Sequence, residues 1–196
     1  MDVERLRRFD LVYPGIWLSG VDPETAFQTC LILGYIEDAF IEAVAACAMF
    51  EPLTYEKARK SRDLSRYENC LNSIYAKSFV YSLAAIGKLF NKLRNRSDTP
   101  PGLAYLCRQY EDRFGHTKHI RDSSMHIEDR GVGLDRRGRH IHATVLVLGG
   151  FIGESSATRL CFTGEDGNQY EVKISEAVLS TIHPILQGAI NSYRWE

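Results

Sequence analysis

A chain of 196 residues suits one domain, or one domain with an appendage, and 44% hydrophobic residues are enough for a real core. A formal net charge of −1 excludes a protein that holds polyanions through its overall charge, so any affinity for nucleic acid has to come from a local patch. The five cysteines (Cys30, Cys47, Cys70, Cys107 and Cys161) are odd in number, scattered and without a CxxC pair, which reads as reduced thiols in a cytoplasmic protein.

The first ten residues, MDVERLRRFD, are charged and lack the apolar centre of a signal peptide. Asp22-Pro23-Glu24 predicts a helix start: Asp22 caps, Pro23 suits the first helical position and Glu24 favours the positive helix end. That helix is expected to reach Phe50, where Glu51-Pro52 stops it. Its apolar run from Cys30 is broken by Glu37, Asp38 and Glu42, so it reads as a buried helix and not a membrane span. Thr54 caps a second helix, Tyr55 to Leu93, polar in its first half. Its second half carries Leu71, Ile74, Tyr75, Ser78, Phe79, Ser82, Leu83, Ile86 and Phe90 at helical spacing. Asn95 to Gly102 is a turn. A third helix covers Leu103 to Phe114 and stops at Gly115. A fourth covers Thr117 to Asp129, with Thr117 as cap and Gly131 as stop.

After Gly131 the pattern changes. GVGLDRRGR reads as a loop, and Ile141–Leu148, Ala157–Thr163 and Gln169–Ile174 read as strands, the last two joined by a hairpin turn over Gly164–Asn168. Ser175 is expected to cap a final helix that Pro184 breaks or kinks. The expected fold is mainly α: a helical core over residues 22–131, a small antiparallel β-rich extension over 136–174 and a C-terminal helix over 175–192, forming one domain over 1–196.

Five of the six histidines (His116, His119, His126, His140 and His142) lie in one stretch. A metal site is one reading, since His140 and His142 alternate on an expected strand. But no HExxH, ExxH or Cys/His pair supplies the remaining ligands, so no metal and no cofactor is expected. A two-histidine phosphoesterase needs two H-x-[ST] tripeptides, and His142-Ala143-Thr144 is one without a second.

The third reading rests on Arg121-Asp122-Ser123-Ser124-Met125-His126, of the form R-D-x-x-x-H. Metal-independent RNA cleavage needs a base for the ribose 2′-hydroxyl, an acid for the leaving oxygen and a cation on the phosphate. Histidine does proton work near neutral pH, and the arginine fork matches two phosphate oxygens. On one continuous helix Asp122 and His126 stack a turn apart, so Asp122 can orient His126. Arg121 and His126 then stand about 140° apart, so Arg121 curls round to share a phosphate or the phosphate bridges two copies of the helix. Arg113 to His119 and Arg137 to His142 satisfy similar spacings. Arg121 alone has an aspartate at helical contact distance from its histidine and lies wholly within one expected helix. A plain surface helix carrying Arg, Asp and His is the competing reading.

On these residues, and on an architecture of helices spanning Asp22 to Gly131, the chain resembles the HEPN superfamily. Such domains are four- or five-helix bundles with R-x4–6-H late in the bundle, commonly with Asn, Asp or His directly after the arginine. The resemblance implies a metal-independent endoribonuclease, a homodimer whose two motif helices form one composite site, and work as a toxin or in phage defence, with an antitoxin or regulatory protein as partner. Carried over, Arg121 binds the scissile phosphate, His126 acts as general acid/base and Asp122 orients the motif. The β-rich segment from Arg136 to Ile174 departs from the basic bundle, and the superfamily includes inactive members that serve as binding or scaffold domains.

Arg136, Arg137 and Arg139 follow His126 closely enough to flank its site on RNA, or else to blunt a sheet edge. Lys57, Arg59, Lys60, Arg62 and Arg66 spread around their helix and read as a solvated face before an RNA track. Tyr67, Tyr75 and Tyr81 read as core or interface residues, and His183 as structural. No GxxxxGK[ST] or GxGxxG occurs, which argues against a nucleoside-triphosphate enzyme. The rival reading from another class is a non-catalytic interaction domain whose β-extension docks a partner.

Overall fold

Asp22 does what its position asks. Its carboxylate accepts the Thr25 backbone N–H at 3.0 Å and opens helix α1, Pro23–Met49. The computed structural model describes residues 6–50, 66–135, 137–142, 146–154 and 157–196. Glu51-Pro52, the Thr54 cap, Lys57, Arg59, Lys60, Arg62, Arg136, Ala143 and Thr144 lie outside the described residues. The described chain is mainly helical, with a small antiparallel sheet near the C-terminus: α2 Arg66–Arg94, α3 Leu103–Phe114, α4 Thr117–Met125, α5 Ile127–Gly131, β1 Leu148–Glu154, β2 Ala157–Thr163, β3 Gln169–Lys173 and α6 Glu176–Asn191. No described helix is long and apolar enough to cross a membrane. None of the five cysteines is in a disulfide.

The chain divides into two compact units, one of Met1–Ala45, Ser82–Gly115 and Glu176–Glu196, the other of Ala46–Tyr81 and His116–Ser175. In the first, Leu33 and Phe40 of α1, Leu83, Ile86 and Phe90 of α2, Leu103 and Tyr110 of α3, and Ile182 and Leu186 of α6 are buried. Removing such side chains from water is the main force holding helices of this kind together. The chain's end is tied to its beginning. Ile16 N–H donates to the Glu196 carbonyl and Glu196 N–H to the Trp17 carbonyl, each at 2.9 Å, and Leu18 bridges Trp195. A side chain at Gly15 would overlap the Glu196 carbonyl, so glycine is required there.

α6 runs unbroken through Pro184, against the expected break. Proline removes one ladder hydrogen bond. The cost is tolerated because Leu179, Ile182, Ile185 and Leu186 bury a continuous face on both sides of Pro184, whose own ring is exposed. Ser175 does not act as the expected cap: its hydroxyl is buried with no hydrogen-bond partner among the described residues. His183 is structural, its ring nitrogen 3.1 Å from the Asp10 carbonyl. On α2, Phe79, Leu83, Ile86 and Phe90 are buried as their spacing predicts, whereas Ile74 is exposed.

In the second unit β1, β2 and β3 form one antiparallel sheet in sequence order. The hairpin over Gly164–Asn168 forms where expected, closed by Gly164 N–H to the Asn168 carbonyl at 2.8 Å. The first strand covers Leu148–Glu154; of the expected Ile141–Leu148, residues 143–145 lie outside the described residues, and among the others only Leu148 is in the strand. Its register runs from Glu154 against Ala157 back to Leu148 against Phe162. Gly149, at φ +87°, takes up a register shift between Leu148 and Gly150, where the Phe162 ring leaves little room for a side chain.

Candidate functional site

Helix α4 lays one face on the sheet, and its sequence shows why. Thr117, Ile120, Ser123 and Ser124 recur at helical spacing and are all buried. Ser123 Oγ donates to the Thr163 carbonyl of β2 at 2.8 Å. The Tyr81 and Ser124 hydroxyls share a hydrogen bond of 2.8 Å. His119 stacks on Tyr170 of β3, with ring centroids 4.4 Å apart and planes within 9°, and the Tyr170 hydroxyl donates to Asp166 at 2.5 Å. Hydrogen bonding to that carboxylate raises the Tyr170 pKa. Burial holds the His116 pKa below its ordinary value, opposed by the Glu171 backbone hydrogen bond. Both rings therefore belong to the joint between helix and sheet.

The fourth helix is shorter than its sequence predicts. It ends at Met125, and His126 follows with φ −115° and ψ 44°, outside helical space, before the single turn of α5. At the end of α4 the Ser124 hydroxyl donates back to the Arg121 carbonyl at 3.0 Å.

This break changes the geometry around the motif. Arg121 and Asp122 remain on α4, and His126 caps its end, with its backbone N–H donating to the Asp122 carbonyl at 3.2 Å. The Asp122 carboxylate binds Arg121: Arg121 Nε donates at 2.8 Å and the guanidinium NH2 closes an ion pair. Among the described residues no side-chain hydrogen bond joins Asp122 to His126. Asp122 thus holds the arginine, where a continuous helix predicted that it would hold the histidine. The Arg121 side chain is 14% exposed and is held by that ion pair. The His126 ring is half-buried.

Asp135, unmarked as a site in the sequence reading, organises the loop after α5. Its buried carboxylate accepts the backbone N–H groups of Arg137 (2.8 Å) and Arg139 (2.9 Å) and binds the Arg139 guanidinium. The Arg139 backbone bond leads the contacts that hold its pKa down to about 2. The signal was present in the sequence: Asp135-x-x-Gly138 is a type I turn pattern, and Gly138 N–H donates to the Asp135 carbonyl at 2.9 Å. Of the three loop arginines, Arg139 is thus committed to Asp135, Arg137 is exposed, and Arg136 lies outside the described residues. Because the folded pKa sits below the ordinary 3.8, the stabilisation from Asp135 is complete above about pH 4 and is lost as pH falls through about 2. The Asp135 side-chain carbon followed by NMR should titrate with a midpoint near 2. Loss of order in this turn is expected over the same range. A midpoint at the ordinary value would remove Asp135 from this role.

The histidines do not assemble with one another into a metal site among the described residues; His140, a bridge partner of Leu134, and His142 are both exposed. One group of three potential ligands does assemble there: a ring nitrogen of His126 and carboxylate oxygens of Glu128 and Asp129 lie within 4.8 Å of one another. The sequence reading did not single out Glu128 or Asp129. No protein-family model matches this chain, and no curated protein or solved structure matches it either.

Proposed function

We propose that the protein is a metal-independent endoribonuclease of HEPN type, acting as a homodimer with a composite site, in a toxin or phage-defence role. The observation that carries the reading is the Arg121–Asp122 ion pair placed one turn before a half-buried His126. A guanidinium fork fixed by a neighbouring carboxylate is preorganised for phosphate oxygens, and preorganised charge stabilises a phosphoryl transition state without reorganising during the reaction. His126 supplies the group that takes or gives a proton. The HEPN-like bundle, the dimer, the RNA substrate and an antitoxin or regulatory partner follow from this reading. The test is RNA cleavage in excess EDTA by wild type, Arg121→Ala and His126→Ala, each checked for folding.

A specific feature favours the second reading, a non-catalytic interaction domain. Phe27, Leu31 and Tyr35 of α1 are spaced four residues apart and are all exposed, a stripe of apolar rings and a leucine on one helix face. A scaffold needs such a face and does not need Arg121 or His126. The same variants separate the two readings.

A further inference from the structure

We infer that His126, Glu128 and Asp129 form a binding site for one divalent transition-metal ion of the zinc class. Three arguments from the structure support this. First, the donor atoms already converge, one imidazole nitrogen and two carboxylate oxygens within 4.8 Å of one another. Second, the set comes from four consecutive residues, His126 to Asp129, whose backbone is fixed by the end of α4 and the turn of α5. The Asp129 carbonyl also accepts the N–H groups of Val132 and Leu134, at 3.2 and 2.9 Å, which anchors the C-terminal side of the set. Closing the site therefore orders little additional chain. Third, two carboxylates at this separation repel each other, and among the described residues neither takes an ion pair, the nearby Arg121 being bound to Asp122. A cation relieves that repulsion.

The donor chemistry selects the ion. Calcium and magnesium prefer all-oxygen shells, whereas an imidazole with two carboxylates suits zinc and its transition-metal neighbours. Three protein ligands leave the remaining positions to water, an open site in place of a closed structural one. Half-burial of His126 and Asp129, with Glu128 exposed, leaves an approach from solvent.

The site has a consequence that rests on the ribonuclease reading. A metal bound at the His126 ring removes that nitrogen from proton transfer, so metal loading and RNA cleavage exclude one another, and zinc acts as an inhibitor. The site itself does not depend on that reading.

Zinc titrated calorimetrically into the apo-protein should bind at one ion per chain, and cobalt in its place should give a visible ligand-field absorption band. Glu128→Gln and Asp129→Asn should each weaken zinc binding by about tenfold or more, and His126→Ala should abolish it, while His140→Ala and His142→Ala bind as wild type. His126 ring resonances should shift on titration with zinc in the wild type, a readout that needs no variant to fold. Absence of stoichiometric binding, binding indifferent to the three ligand variants, or binding lost in the His140 or His142 variants would each overturn the site. Cleavage in EDTA is measured on the same preparations. Its absence would remove the ribonuclease reading and leave the metal site standing.

Discussion

Arg121→Ala and His126→Ala should each lower RNA cleavage in excess EDTA by about two to four orders of magnitude, with far-UV circular dichroism unchanged. Neither residue belongs to the face that packs on the sheet, which is Thr117, Ile120, Ser123 and Ser124. With the fold unchanged, a loss of activity in either variant is a loss of chemistry. Arg121→Lys keeps the charge and loses the fork, so it should recover only part of the rate. Asp122→Asn should fall between that variant and wild type. It removes the ion pair but leaves the guanidinium free to find the phosphate, so its loss should appear in KM more than in kcat. If Asp122 acted on His126 instead, kcat would carry the loss. Wild type that cleaves none of several RNAs would move the reading to an interaction domain, and the exposed stripe of Phe27, Leu31 and Tyr35 would become the first surface to mutate.

How far the sequence could be read follows from where each signal resides. Helix α3 matches its expectation at both ends, Leu103 to Phe114, with Gly115 directly after it. The cap at Asp22 and the hairpin at Gly164–Asn168 are likewise local, set by side chains within a few residues of the backbone they satisfy. The end of α4 is different. Ser124 is held by Tyr81, 43 residues earlier, and Ser123 by the Thr163 carbonyl, 40 residues later. No window along the chain contains those partners, so the helix read as continuous to Asp129. The geometry expected around Arg121, Asp122 and His126 inherits that error: Asp122 binds Arg121 and not His126, and a ring nitrogen of His126 meets carboxylate oxygens of Glu128 and Asp129. A one-residue departure from helical dihedrals rearranges every angular argument made on the helix.

Tyr110→Ala should destabilise the first unit by about 3–5 kcal/mol, whereas Tyr110→Phe should cost only about 1 kcal/mol. The ring is 1% exposed, meets Phe90 edge-on and Phe114 at a tilt, each at 5.2 Å between centroids, and donates its hydroxyl to the Leu83 carbonyl at 2.7 Å. Burial pushes its pKa well above 10, so the hydroxyl stays a donor. Truncation to alanine removes the ring from contact with both phenylalanines and leaves a cavity between α2 and α3. On the α2 side the ring faces glycine at position 87, where a Cβ would lie 3.5 Å from the Tyr110 ring. Phenylalanine keeps that packing and loses a single hydrogen bond to a carbonyl that the helix ladder already serves. Both tryptophans, Trp17 and Trp195, belong to the same unit, so their fluorescence in a urea titration reads its unfolding. Total stabilities of about 5–15 kcal/mol make the alanine variant's loss a large fraction of the whole, visible as a midpoint moved far toward zero urea. Equal losses in the two variants would mean that the hydroxyl, and not the ring, fixes α3 against α2. A negligible loss in both would mean that the aromatic cluster is not where this unit draws its stability.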